Sequence, residues 1–142
     1  MYFQYGDKEI EYLRSKDKKL AEVIDKVGHI DRTVDTDLFS SVVHHIIGQQ
    51  ISTKAQQTIW LRMNEKYGHV TPEVIDSADA AELQSLGMTF RKAEYIKDFS
   101  HKVVSGEFSL DAVWHMSDEE AVEALSSLKG VGVWTAEMIL LF

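Results

Sequence analysis

The sequence predicts an all-α protein on three observations. Apolar residues recur at three- and four-residue intervals through most of its length, short polar residues stand where those patterns begin, and glycines stand where several of them stop. Alternating apolar–polar runs joined by hairpin-turn dipeptides do not occur, and neither do fixed-period repeats or low-complexity linkers. The expected architecture is a compact orthogonal bundle of about eight short helices joined by tight turns, in a single domain over 1–142. With 142 residues, 44% hydrophobic and 27% charged, the chain can bury a core.

From Lys8, the positions Ile10, Leu13, Leu20, Ile24 and Val27 fit helical spacing, and Asp17 divides the run as the cap of a second helix beginning at Lys18. After Gly28 and a polar turn, Asp37 starts a helix whose Phe39, Val42, Val43, Ile46 and Ile47 form a broad apolar stripe, which predicts burial. It runs into Gly48-Gln49-Gln50-Ile51-Ser52, and Ser52 caps the next helix, which carries Ala55, Ile59, Met63 and Tyr67 and stops near Gly68.

Thr71-Pro72-Glu73 places a cap before a proline at the first helical position, predicting a short helix through Ile75. Asp79 opens another, ended at Gly87. Thr89 caps a longer segment with Phe90, Ala93, Ile96, Phe99 and Val103 on one face, closed by Gly106. A turn or short helix over Leu110 to Trp114 leads into the last motif.

That motif occupies 118–142. Ser117-Asp118-Glu119-Glu120 has the form of a capping box, followed by Ala121, Ala124, Leu125 and Leu128 at helical spacing. Gly130 can stop this helix, and a second pattern begins at once, with Ala136, Ile139 and Leu140 on one face and Trp134, Met138 and Leu141 on another. The result is a helical hairpin. Gly130 and Gly132 remove side chains where a ligand could touch main chain, and the first N–H groups of the second helix are unpaired donors with partial positive charge, so the turn can hold a phosphate. Read by itself, Gly-Val-Gly could equally be a tight corner between helices.

Charge and cysteine content narrow the function classes. A net charge of −8 argues against a non-specific nucleic-acid coat, whose affinity comes from many Lys and Arg contacts to phosphate. A local positive face remains available from Lys54, Arg91, Lys92 and Lys129. The absence of cysteine excludes a thiolate metal site or iron–sulfur cluster within this chain. His44 and His45 are adjacent and point to different faces, and His29, His69, His101 and His115 show no i, i+4 pairing, which argues against a histidine metal site. No apolar run spans a bilayer and no signal peptide opens the chain, so the expected place is the cytoplasm, beside the nucleoid in a bacterium, with no membrane partner.

Leu128 ahead of Gly130-Val131-Gly132-Val133-Trp134-Thr135-Ala136-Glu137-Met138 resembles the hairpin of the helix-hairpin-helix DNA glycosylases, in the form found in their 3-methyladenine DNA glycosylase II branch. Ile47-Gly48-Gln49-Gln50-Ile51-Ser52 resembles that branch's helix-loop-helix signature, and Gly87 through Ile96 its next block. Three ordered blocks cover nearly the whole chain. The resemblance implies a monomeric base-excision enzyme that acts on double-stranded DNA containing damaged bases, flips the alkylated purine out of the stack and hydrolyses its N-glycosidic bond.

Carried over by residue, the resemblance makes Gln50 the wedge that fills the gap in the stack, and Lys129, Gly130, Gly132 and Thr135 the contacts to DNA phosphate. The main-chain carbonyls of Ser126, Leu128 and Val131 become ligands of an alkali-metal ion bridging to that phosphate, with no other cofactor required. Trp134 stands where lyase-active relatives carry a nucleophilic Lys, which implies a monofunctional enzyme using water. With Met138 one turn on, Trp134 would line the base pocket, where its ring favours a cationic purine. Taken alone, Gln50 could be an exposed loop amide and Trp134 a residue of the hairpin core.

The family's catalytic Asp lies a short distance beyond the hairpin. This chain ends at Phe142, so the resemblance implies an incomplete domain with no catalytic residue of its own and little or no base excision as it stands. Glu137, Asp111, Asp118 and Glu119 read as local polar or capping residues. The competing expectation is a non-catalytic hairpin module that binds DNA or a protein; it would need only the two hairpin helices, whereas the Gly48 to Ser52 block favours the enzyme family.

Overall fold

The computed structural model describes residues 1–142 as ten helices and no strand. They are α1 Asp7–Lys16, α2 Lys18–Val27, α3 Leu38–Gly48, α4 Thr53–Tyr67, α5 Pro72–Ser77, α6 Ala80–Gln84, α7 Phe90–Ser105, α8 Leu110–Val113, α9 Asp118–Ser126 and α10 Val133–Leu141. None is long and apolar enough to cross a membrane.

The caps explain the boundaries. Asp17 accepts from the N–H groups of Lys19 and Leu20 at 2.8 and 3.1 Å, Ser52 from Ala55, Thr89 from Lys92 and Ser109 from Ala112. Ser117 and Glu120 form the reciprocal capping box, and the backbone bond from Ser117 holds the Glu120 carboxyl below its ordinary range. Asp79 precedes α6 without a side-chain cap bond, and that helix ends at Gln84 rather than running to Gly87.

Two compact units result, residues 1–35 with Phe142, and residues 36–141. In the first, residues 1–3 pair with 32–34 through an isolated antiparallel bridge between Tyr2 and Thr33. The Tyr5 hydroxyl accepts from the Ile30 N–H at 2.6 Å while its ring stacks on His29, and Arg14 pairs with Asp25. Neither α1 nor α2 buries a residue: Leu13, Leu20 and Val27 on their apolar seam are all exposed.

The second unit holds the core. Helix α3 lies at its centre, with Leu38, Phe39, Val42, Val43, Ile46 and Ile47 all buried, so the stripe read from sequence is close to a fully covered helix. Ile59 and Met63 of α4, Ile75 of α5, Leu83 of α6, Ala93, Ile96 and Phe99 of α7, Leu125 of α9, and Ala136 and Ile139 of α10 complete it. Phe39 stacks on Phe99 at 5.2 Å between ring centres, and Phe108 meets Phe99 edge-on at 5.7 Å. Phe90, at the first position of α7, is 46% exposed and leaves the apolar face on which its spacing put it. At a helix start the side chain has no preceding turn to cover it.

Candidate nucleic-acid interface

Three turns converge on one cleft of about 740 Å³: the loop from α3 to α4, the start of α7, and the hairpin between α9 and α10. The first supplies Gln49, Gln50 and Ile51, the second Thr89, Arg91, Lys92 and Tyr95, and the hairpin Gly130, Trp134 and Thr135. No Asp or Glu is in that lining. A chain of net charge −8 therefore keeps its acids out of this cleft, whose wall includes Arg91 and Lys92.

The hairpin turn is built from local bonds. Leu128 N–H donates to Leu125 and Val131 N–H to Leu128, each at 3.1 Å, and Ala136 N–H to Gly132 at 2.9 Å. That last bond is the first to run along α10, so the N–H groups of Val133, Trp134 and Thr135 lie ahead of the helical ladder and carry its positive end. Gly130 has φ +82, and a Cβ there would land in the ring of Tyr95. Gly132 has nothing within 4 Å of a built Cβ, so no neighbour requires its lack of a side chain, which leaves main chain bare beside the helix start. Thr135 is 8% exposed; its side chain is packed, and what it offers an anion at the helix start is its N–H.

Gln50 is exposed and is the one non-glycine residue with positive φ, +57. Its neighbour Gln49 donates from Nε2 to the Gly130 carbonyl at 2.7 Å, which ties this loop to the hairpin. Lys92 Nζ donates to the carbonyls of Ile47 and Gln49 at 2.7 and 2.6 Å, and burial pushes its pKa down. The ammonium expected to face DNA is instead turned onto the end of α3, where unpaired carbonyls draw a cation.

Trp134 is 70% exposed and lines the cleft, which rules out a place in the hairpin core. Met138 is half-buried and not part of the cleft lining. The cleft opens at the N-terminal end of α10, and four residues add about 6 Å along a helix axis, which carries Met138 away from it. Lys129 lines a neighbouring cleft of about 600 Å³ with Asp76, Glu94, Lys97, Asp98 and His101, and its Nζ bonds Asp98 Oδ1 at 2.7 Å. The carbonyl of Leu128 already accepts from Val131 and keeps a second lone pair; Ser126 closes α9, where carbonyls lack helical donors, so main-chain oxygens of the kind an alkali-metal ion takes are present in this turn. Sequence reasoning gave no role to Gln49 or Tyr95, and only their tertiary partners supply one.

The family model of the HhH-GPD superfamily base excision DNA repair proteins matches residues 43–138, from the middle of α3 through most of α10. The chain belongs to that superfamily. Among its relatives is DNA-3-methyladenine glycosylase 1 of Schizosaccharomyces pombe, 29% identical over 108 residues, which are 73% of this chain and 47% of that protein. The chain spans about half the length of the curated relatives that it matches first. The fold is similar to that of a Bacillus halodurans DNA-3-methyladenine glycosidase, with TM-score 0.81 and 29% identity over all of this chain and 66% of that one. It is also similar to the S. pombe 3-methyladenine DNA glycosylase solved with abasic DNA, with TM-score 0.82 and 27% identity over 94% of this chain and 68% of that one.

Proposed function

We propose that this HhH-GPD chain carries the DNA-gripping and base-flipping part of a monofunctional glycosylase that hydrolyses the N-glycosidic bond of alkylated purines of the 3-methyladenine type. The observation that carries the reading is the shared cleft, in which the Gln50 loop, Trp134 and the N-terminal turn of α10 meet without a carboxylate. Relatives named as 3-methyladenine glycosylases support it.

In this reading one phosphate of double-stranded DNA docks on the main chain of Gly130 and Gly132 and on the open N–H groups of α10, with Lys129 alongside. A helix start contributes about 0.3–1 kcal/mol towards such an anion, so it anchors the backbone without reading bases. An alkali-metal ion on the carbonyls of Ser126, Leu128 and Val131 would add positive charge beside that phosphate. Gln50 enters the stack, and the displaced base meets Trp134, whose electron-rich face favours a cationic purine by about 0.5–2 kcal/mol. Indole is no nucleophile, so no Schiff base forms at this position and water completes the reaction. A monomer acting in the cytoplasm, at the nucleoid in a bacterium, goes with this chemistry.

The test is release of free 3-methyladenine and 7-methylguanine from alkylated duplex DNA by the longest natural form of the protein. Release without strand cleavage supports the reading; strand cleavage through a trapped covalent intermediate, or no release beside normal DNA binding, contradicts it.

A further inference from the structure

We propose that Lys92 and Gln49 are positioning residues that lock the Gln50 loop to the hairpin, so that phosphate grip and wedge insertion act as one unit. This rests on the reading of Gln50 as wedge and of the hairpin as phosphate site.

Three features of the structure carry it. Gln50 holds φ +57, a conformation that a residue with a Cβ leaves unless its surroundings impose it. The loop is short, since Gln49 caps the end of α3 and Ser52 caps the start of α4, and its backbone makes only long bonds of its own, Gln49 N–H to Ile46 and Ile51 N–H to Gly48, both at 3.4 Å. What fixes it comes from outside: Lys92 grips the carbonyls on either side of Gly48, and the Gln49 amide reaches across to Gly130.

Gly130 is in turn seated against Tyr95, one helical turn on from Lys92 on α7. Loop, hairpin and α7 thus form a closed circuit of contacts, with Gln50 at one corner and the α10 N-terminus at another. Lys92 is suited to the part because it is half-buried and its partners are the end carbonyls of α3, which orient a cation along the helix axis. When a phosphate settles on the hairpin, the carbonyl of Gly130 is held, and through Gln49 the wedge is held at a set height above it. Without the circuit the phosphate still binds, but the wedge swings and the base stays stacked.

The experiment uses the chain with a duplex containing an abasic-site analogue flanked by 2-aminopurine. Fluorescence of that base reports unstacking, and anisotropy of a labelled strand reports affinity on the same duplex. Lys92→Met and Gln49→Ala are expected to lose most of the unstacking signal while affinity falls by no more than about threefold, because phosphate contacts carry the affinity. Lys92→Arg, which can still reach both carbonyls, keeps the signal. Gln49→Glu, which keeps the size of the side chain but sets a carboxylate against the Gly130 carbonyl, loses it even if Lys92→Met fails to fold. Full unstacking by Gln49→Ala and Gln49→Glu overturns the proposal, and so does affinity that falls in proportion to the signal. Absence of any signal from the unmodified chain, or a full signal from Gln50→Ala, overturns the wedge reading itself and is distinguished by those two controls.

Discussion

The ammonium of Lys129, the residue immediately before Gly130, lies 2.7 Å from Oδ1 of Asp98 on α7, and Lys102 reaches the other oxygen of the same carboxylate at 3.4 Å. The hairpin's one cation is thus engaged by an acid where, on the proposed function, a DNA phosphate would compete for it.

Removing that acid should release the lysine. Asp98→Asn is expected to tighten binding to undamaged duplex by a few-fold at low salt, since an exposed ion pair is weak and easily exchanged for phosphate. Lys129→Ala should weaken binding and reduce the slope of log K against log salt by about one unit. Titrations at several salt concentrations check both.

The same pair gives a pH signature. The hydrogen bond from Lys129 holds the Asp98 carboxyl below its ordinary 3.8, against partial desolvation, and the Lys102 charge adds to the lowering. A depressed folded-state value means a stabilisation present above the unfolded pKa and lost as pH falls through the folded one. Thermal melts should therefore show Asp98→Asn slightly less stable than the parent at pH 7, with the gap closing as pH falls below the ordinary carboxylate range.

The two hairpin glycines should separate stability from binding. Gly130→Ala forces a Cβ into Tyr95 at φ +82 and is expected to cost about 1–3 kcal/mol or more of stability. Gly132→Ala meets no neighbour, so its melting temperature should stay near that of the parent. Its affinity for DNA should fall, because the added methyl stands where the phosphate approaches. Calorimetry and anisotropy on both variants decide this.

Trp134→Ala should likewise leave the melt unchanged, since the ring is largely solvent-exposed. It should lower the excision rate for cationic 7-methylguanine relative to a neutral substrate, by up to the factor of about 30 that 2 kcal/mol represents. Measuring both substrates with one enzyme preparation isolates the effect. In the core, Phe39→Ala should cost about 3–5 kcal/mol, because both ring faces and the Phe99 stack are lost.

Much of this was legible in the sequence because local chemistry decides it. Asp17, Ser52, Thr89 and Ser117 announce helix starts through short-range bonds, and α3 and α7 declare their buried faces by periodicity. The hairpin and Gln50 were visible as motifs. What escaped were contacts across long sequence separations: Gln49 to Gly130 spans 81 residues and Lys92 to Ile47 spans 45, and no local pattern encodes either. For the same reason Lys92 and Lys129 read as free cations, although one is folded onto α3 and the other onto Asp98. Met138 shares a helical face with Trp134 in projection, but projection ignores the distance along the axis that separates it from the cleft.

On the proposed function, this cleft grips DNA where a base has left the stack. The most direct measurement is the affinity of the 142-residue chain for a duplex with one abasic-site analogue, compared with the same duplex intact, at fixed salt. Tighter binding to the abasic duplex is expected, with the preference reduced by Gln50→Ala. Equal affinity for the two duplexes, or a preference that Gln50→Ala leaves untouched, would contradict it.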